Sequence, residues 1–490
     1  MTEIVSARDL KSDLTLEADL CVVGTGAGGA MVARQAAVAG LRVVALEEGP
    51  TLRTEMFTQR EDEMIPLLFQ EAGARATIDG AVTILQGRGL GGSTVHNTNL
   101  CKRAPDDVLA RWPDGWRTRD LLPHYEAVER ELNVKPIETR RINRNNALLK
   151  SAVEKLGWRG AVLSHNREGC VGSGFCELGC PVDGKQNALK VLLPAAQRAG
   201  ARIVSDCRAE AILLEGGRAV GVRARATHAT VTVQAPVCLA GSAIGSALLA
   251  LRSHFPDEKN QIGRGLHLHP GVAVAGLFDD PVEGWIGIPQ SYECTEHLSF
   301  DEESDARVWI VPGFAHPAGA ASLLPGFGAA HKQRMRDYSK MAIFVAMLHD
   351  QSEGTVEASS DGRPLIRYEL NSSDQRALLH GMQACTRLMF AAGARRVLLP
   401  FATPLELDAP SENLQHHYRP LDPLLTAVHP MGTMALGRVC DGEARVRGIT
   451  HLWVADGSLF PSSIGGPPQL TIYAAARKVA AQIVDTLGHR

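Results

Sequence analysis

Two stretches of this 490-residue chain carry residue types whose spacing implies chemistry. The first is Gly24-Thr25-Gly26-Ala27-Gly28-Gly29, followed further on by Glu47. Gly24 suits a tight turn, Gly26 a close approach of backbone to a pyrophosphate, and Gly29 close packing of a helix on a strand. Gly28 belongs to the same turn. Glu47 can accept hydrogen bonds from ribose hydroxyls, and Glu48 takes that role if the strand register shifts by one. The second stretch holds Cys170, Cys176 and Cys180 within Cys-Val-Gly-Ser-Gly-Phe-Cys-Glu-Leu-Gly-Cys-Pro. Thiolates this close can ligate iron in a cluster. They can also hold zinc, with His165 the nearest fourth ligand, pair as a disulfide, or serve as plain structural thiols. The sequence leaves these four readings open.

The elements that must position these groups are legible around them. Leu20-Cys21-Val22-Val23 is an apolar run of the kind expected for a buried parallel strand. Ala30 to Ala39 reads as a small-residue helix closed by Gly40, and Val43-Val44-Ala45-Leu46 as a second strand ending at the acid. Strand, glycine turn, helix, strand and acid together predict a dinucleotide site, with the helix N-terminus turned to the phosphates. Arg307–Val311 and Met341–Met347 are strand-like without a phosphate-binding turn. Ser373 to Ala392 reads as an amphipathic helix. No internal repeat or low-complexity linker is visible.

Composition narrows the function classes. With 45% hydrophobic and 21% charged residues the chain has an ordinary globular mix, long enough to bury a large core. Its 51 basic and 54 acidic residues give a net charge of −3 and no footprint for nucleic acid or an anionic membrane. No run approaches the ~18 apolar residues of a membrane span. The start, Met1 to Arg8, lacks the basic-then-apolar pattern of an export signal. A cytoplasmic protein is therefore expected, with export alongside a partner as the alternative. Disulfides are then the weaker use of its ten cysteines.

Further blocks extend the pattern. Gly87-Arg88-Gly89-Leu90-Gly91-Gly92-Ser93-Thr94-Val95-His96-Asn97 is a second glycine-rich stretch. Ala219-Val220-Gly221-Val222 leads to Leu239-Ala240-Gly241-Ser242-Ala243-Ile244-Gly245-Ser246. Near the end come His429-Pro430-Met431-Gly432-Thr433, Leu452-Trp453-Val454-Ala455-Asp456-Gly457-Ser458 and Pro467-Pro468-Gln469-Leu470-Thr471. In this order, across almost the whole chain, they resemble the glucose–methanol–choline (GMC) family of flavoprotein oxidoreductases. The resemblance implies FAD as cofactor and an α/β fold. It implies a discontinuous Rossmann-like FAD-binding domain and a substrate domain built on an antiparallel sheet with helices. Residues 1–110, 160–270 and 425–490 are assigned to the FAD-binding domain, and residues 111–159 and 271–424 to the substrate domain. It further places Gly91, Gly92, Ser93, His96, Asn97, Asp456, Gly457, Gln469, Leu470 and Thr471 at the cofactor.

The implied reaction is oxidation of an alcohol carbon by hydride transfer to flavin. A base of near-neutral pKa must then take the hydroxyl proton, and His429 matches the family's active-site histidine. Its bland alternative is a histidine capping a Gly/Pro-rich loop. The family usually has a second histidine or an asparagine where Pro467 and Pro468 stand here. Proline donates no hydrogen bond, so Gln469 or a residue of the substrate domain must hold the alcohol oxygen. Some members similar around His96 carry their flavin covalently on the matching histidine; packing against the flavin ring is the other reading.

The cysteine stretch is similar both to the iron–sulfur segment of FAD-dependent glucose dehydrogenases and, with Gly184-Lys185-Gln186, to long-chain alcohol oxidases. The first similarity implies a sugar or sterol dehydrogenase passing electrons through a cluster to a redox partner. The second, which we favour, implies a hydrophobic primary alcohol and oxygen or a diffusible acceptor. A hydroxynitrile lyase, which keeps flavin and histidine without net redox, is the reading from another class.

Overall fold

The computed structural model describes residues 4–313, 316–411, 413–419 and 421–488. A six-stranded parallel sheet gathers distant parts of the chain in the order Val5–Ser6, Arg202–Ser205, Val43–Leu46, Leu20–Val23, Val237–Leu239 and Leu452–Val454. The Leu20–Val23 and Val43–Leu46 strands are buried along their whole length. Both faces of such a sheet must be covered, which is why these runs are apolar without alternation. The helix Ala27–Val38 follows the first of them and packs on the C-terminal helix Gln469–Leu487. Arg208–Glu215, Arg218–Arg225, Thr230–Gln234 and Leu14–Glu17 form a smaller sheet beside this core.

The second half is built on a mostly antiparallel sheet. Its main path runs Leu405–Leu407, Arg396–Leu399, Gly271–Leu277, Met341–Leu348, Val308–Pro312, Tyr292–Cys294 and Gly160–Val162. The helix Ser372–Ala391 packs against it, one residue off the span read from periodicity. Gly160–Val162, Val82–Ile84 and Leu425–Ala427 all join this sheet, although they lie inside segments assigned to the cofactor half. Short strands of three residues carry too little periodicity to show which sheet they complete.

The chain then passes from one half to the other where chemistry is expected. Leu425–Ala427 belongs to the antiparallel sheet, and Met431–Thr433 pairs with Arg264–His267 in a separate four-stranded sheet. His429 sits on the crossing between them. Among the described residues no helix is long and apolar enough to cross a membrane.

Candidate active site

The glycine turn is shaped by steric necessity. Gly24 has φ +97°, a left-handed value that favours glycine, and a Cβ there would lie 2.4 Å from the Ala240 carbonyl oxygen. A Cβ on Gly28 would lie 1.7 Å from the Ala455 oxygen, and one on Gly29 1.8 Å from the Gly24 oxygen. Helix and strand therefore meet backbone to backbone. Gly26 differs: a Cβ there would meet nothing within 4 Å, because it faces the cavity. This is the split of roles that a diphosphate site needs.

That cavity has a volume of about 1570 Å³. Pockets for one drug-sized ligand run to roughly 300–1,000 Å³, so there is room for a dinucleotide and a substrate together. Gly24, Gly26 and Gly28 line one end with Glu47 and Glu48. Gly92, Ser93, His96 and Asn97 line the middle, as do Asp456, Gly457 and Gln469. Gly29, Gly91, Leu470 and Thr471 stand behind the wall. The Gly91 N–H donates to Thr25 Oγ1 at 3.3 Å, and the Thr471 hydroxyl accepts from Tyr125 at 2.9 Å. Asp456 accepts from the Ser242 N–H at 2.8 Å, the Ser246 hydroxyl at 2.6 Å and the Ser458 N–H at 2.8 Å, which ties the C-terminal segment to the helix Ser242–Arg252.

Glu47 is held from four sides. Its carboxylate accepts from Thr25 N–H and Oγ1 at 3.2 and 2.7 Å, and from the N–H groups of Gly49 and Gly89 at 3.0 and 3.2 Å. Burial, followed by the nearby charge of Glu48, still raises its pKa to about 7. Glu48, the alternative, accepts from the Gln70 amide and also faces the cavity.

His96 presents a buried Nε2 with no hydrogen-bond partner among the described residues, and its ring lies 4.1 Å from that of Phe69. Burial, then the charge of Lys185, pushes its pKa down to about 3, so the ring is neutral. The neutral ring lines the dinucleotide-sized cavity while its Nε2 is turned into the protein beside Gly87, and such a ring fits a flavin packed against it. The residues present thus fit FAD: a glycine cradle for phosphates, an acid at the strand end, and His96 and Asn97 beyond.

His429 meets a partner that sequence reasoning did not name. The His429 and His269 Nδ1 atoms are 2.8 Å apart and their rings stack at 21°. The ladder explains the meeting. His267 faces Met431, and just beyond these paired residues the two segments bring His269 and His429 together. Each precedes a proline, Pro270 and Pro430, but so does His316, so that dipeptide alone does not single out the pair.

Asp350 pins the His269 backbone at φ +50°, accepting from the N–H groups of Leu268 and His269 at 3.0 and 3.1 Å and from the Tyr368 hydroxyl at 2.7 Å. Against the cost of its burial, His267 and these hydrogen bonds hold the Asp350 carboxyl well below the usual range. Burial pushes the pKa of His269 down to about 4 and, with His269 adding to it, that of His429 well below the ordinary imidazole value. Both rings are therefore neutral near pH 7. His429 lines the cavity; His269 lies behind it with its Nε2 buried and unpartnered among the described residues.

Gln469 also lines the cavity, yet its amide is occupied at both ends. Its Oε1 accepts from Asn97 Nδ2 at 2.8 Å, and its Nε2 donates to the Leu100 carbonyl at 2.5 Å. The amide is thus tied to Asn97 and to the Leu100 backbone. Pro467 and Pro468 line the wall beside it.

The cysteine stretch does not assemble a metal site. Among the described residues no three His, Cys, Asp or Glu side chains gather as ligands, and all ten cysteines are free thiols. Cys170 Sγ accepts from Arg167 at 3.3 Å and Cys180 Sγ from the Gly184 N–H at 3.1 Å. His165 spends its ring on the Gln290 carbonyl at 2.8 Å and on Arg167, so it is no zinc ligand. This geometry gives the iron–sulfur reading no support. The loop is buckled to the segment around Val95 and Asn97 by Lys185. Its ammonium donates to the carbonyls of Val95 at 2.7 Å, Cys176 at 2.6 Å and Asn97. Burial lowers its pKa to about 8.

Comparison with known proteins agrees with this geometry. Residues 65–271 and 350–476 match two models described as GMC oxidoreductase, and an uncharacterized GMC-type oxidoreductase of Mycobacterium tuberculosis is 38% identical over 99% of this chain and 78% of its own. The chain belongs to the GMC oxidoreductase family. GMC oxidoreductases bind FAD, so this is a flavoprotein oxidoreductase. The long-chain-alcohol oxidase FAO3 of Arabidopsis thaliana is 26% identical over 97% of this chain and 69% of its own. The crystal structure of pyridoxine 4-oxidase from Mesorbium loti superposes with a TM-score of 0.75 at 16% identity, covering 95% of this chain and 98% of that one. That likeness shows the GMC fold.

Proposed function

We propose that this GMC oxidoreductase oxidises a hydrophobic primary alcohol to the aldehyde, with His429 as the general base and His269 orienting it. The observation that carries the proposal is the neutral, hydrogen-bonded His429–His269 pair at the cavity wall. Bound FAD supplies the acceptor for the hydride. A contact between two imidazole nitrogens needs one donor and one acceptor. When His429 Nδ1 donates to His269 Nδ1, His429 Nε2 is left as a lone pair for the hydroxyl proton. The depressed pKa values keep that lone pair free near pH 7.

The pair also answers the loss of a side-chain donor at Pro467. A partner from the turn between Arg264–His267 and Gly271–Leu277, rather than from the Pro467 segment, keeps the base in register. Gly271, Ala273, Trp309, Val345 and Met347 line the cavity on this side, an apolar surface suited to an alkyl chain and to excluding water. The similarity to long-chain-alcohol oxidases supports the same substrate class. The two electrons removed then pass to oxygen or a diffusible acceptor.

We further propose that His96, whose neutral ring lines the cavity, carries the flavin covalently. The test of the reaction is anaerobic addition of fatty, aromatic, sterol and sugar alcohols with the flavin band followed. Bleaching by long-chain primary alcohols is expected. Cyanide release from cyanohydrins without bleaching would make the protein a lyase instead.

A further inference from the structure

The cavity opens through a rim of side chains that water should not favour. Leu323 is 48% exposed, Leu421 52%, Leu424 62% and Val428 40%, and all four line the cavity. Phe327, just beyond Leu323, is 91% exposed. The rim is continuous. Gly326 lies against Pro404, and Arg334 reaches across to Glu406 at 2.9 Å, so the Leu323–Arg334 arm touches the segment that leads to Leu421 and Leu424. Glu61 anchors the arm at its other end, accepting from the N–H groups of Ala318 and Gly319 at 2.7 and 2.8 Å. Clustered apolar exposure around one opening marks an interaction surface rather than scattered surface leucines.

The charge beside the rim selects the partner. The helix Gly328–Arg336 follows Phe327 and reads Gly-Ala-Ala-His-Lys-Gln-Arg-Met-Arg, with no acid. Arg334 is paired with Glu406, whereas Lys332 and Arg336 are exposed and make no ion pair among the described residues. Asp62 and Glu63, the acids next to Glu61, are both bridged by Arg60, at 2.9 and 3.1 Å. The net charge of −3 draws the chain as a whole to no anionic surface, but apolar side chains flanked by two unpaired cations give this one rim the pattern of a surface that dips into an anionic bilayer interface.

We propose that the cavity mouth docks on an anionic lipid surface, so that an alcohol with a long alkyl chain enters directly from the bilayer. The inference deepens the reading of the substrate as hydrophobic and rests on it. Insertion of Leu323, Phe327, Leu421 and Leu424 joins the apolar cavity wall to the acyl layer. The alkyl chain then slides toward His429 without crossing water, while Lys332 and Arg336 meet the lipid phosphates.

The test uses the holoenzyme and sedimentable vesicles of phosphatidylcholine with and without phosphatidylglycerol. Binding to the anionic vesicles is expected, at least tenfold stronger than to the neutral ones and weakened by salt. Phe327→Glu, and separately the Lys332→Glu/Arg336→Glu pair, should each lower it at least tenfold, with bleaching by a short water-soluble alcohol unchanged because none of the three residues lines the cavity. Equal or absent binding to both vesicle types overturns the proposal, as does concentration-dependent dimerisation abolished by Phe327→Glu, which would make the rim a contact between copies. The two readings fail separately. A protein that binds vesicles but is bleached by no alcohol sinks the substrate assignment, whereas one bleached by detergent-dispersed long-chain alcohol but indifferent to vesicles sinks the docking.

Discussion

His269 and His429 share a 2.8 Å contact between their Nδ1 atoms, although 160 positions separate them in sequence. Each lies two residues from a paired position in one short antiparallel ladder, so the base and its orienting group are set by a single element of the fold. Removing His269 should therefore misplace the base without removing it. His269→Ala is expected to slow flavin reduction about tenfold, the loss of roughly one buried hydrogen bond, while flavin content stays full. His269→Asn, which can present an amide oxygen to the His429 N–H, should recover part of the rate. A rate unchanged in both variants would detach His269 from the chemistry.

The pH profile carries a sign. Burial, then His269, lowers the pKa of His429 from the ordinary 6.5, so its neutral form survives to more acid pH. The acid limb of the flavin-reduction rate is expected below pH 6.5. Replacing His269 by Ala takes away part of the lowering and should move that limb upward. An acid limb above 6.5 in the unaltered protein would contradict the neutral pair.

Two neighbouring glycines should fail in different ways. Gly28→Ala drives a methyl group into the Ala455 carbonyl and is expected to destabilise the fold itself, read as a lowered melting temperature of the apoprotein. Gly26→Ala meets nothing within 4 Å, so the apoprotein should melt normally while retention of FAD falls. Equal flavin retention in Gly26→Ala and the parent would place the phosphates elsewhere.

Acid precipitation reports on His96. With the flavin bonded to His96 the washed pellet stays yellow, and His96→Ala gives a colourless pellet and a yellow supernatant. A colourless pellet from the unaltered protein removes the covalent link.

Much of the cofactor half was legible because its signals are local. The strands Leu20–Val23 and Val43–Leu46 match their apolar runs residue for residue, and the turn glycines occupy positions that a Cβ would fill. The active site was legible only in part. His429 stood in a recognisable block, but its partner lies 160 positions away, in the turn between Arg264–His267 and Gly271–Leu277, and a meeting of such distant segments leaves no period in a single chain. Gln469 showed its proximity but not its bonding, which depends on where Asn97 and Leu100 come to lie. The three cysteines stayed open for a similar reason: closeness along the chain does not show what meets each sulfur, and the fold gives Arg167 and the Gly184 N–H to two of them and Lys185 to the intervening backbone.

The most direct test of the proposed chemistry is single-turnover anaerobic flavin reduction by a long-chain primary alcohol in His429→Ala, with flavin content measured on the same sample. The account predicts full flavin and reduction slowed by ~10²-fold or more. A near-normal rate with flavin in place would contradict it.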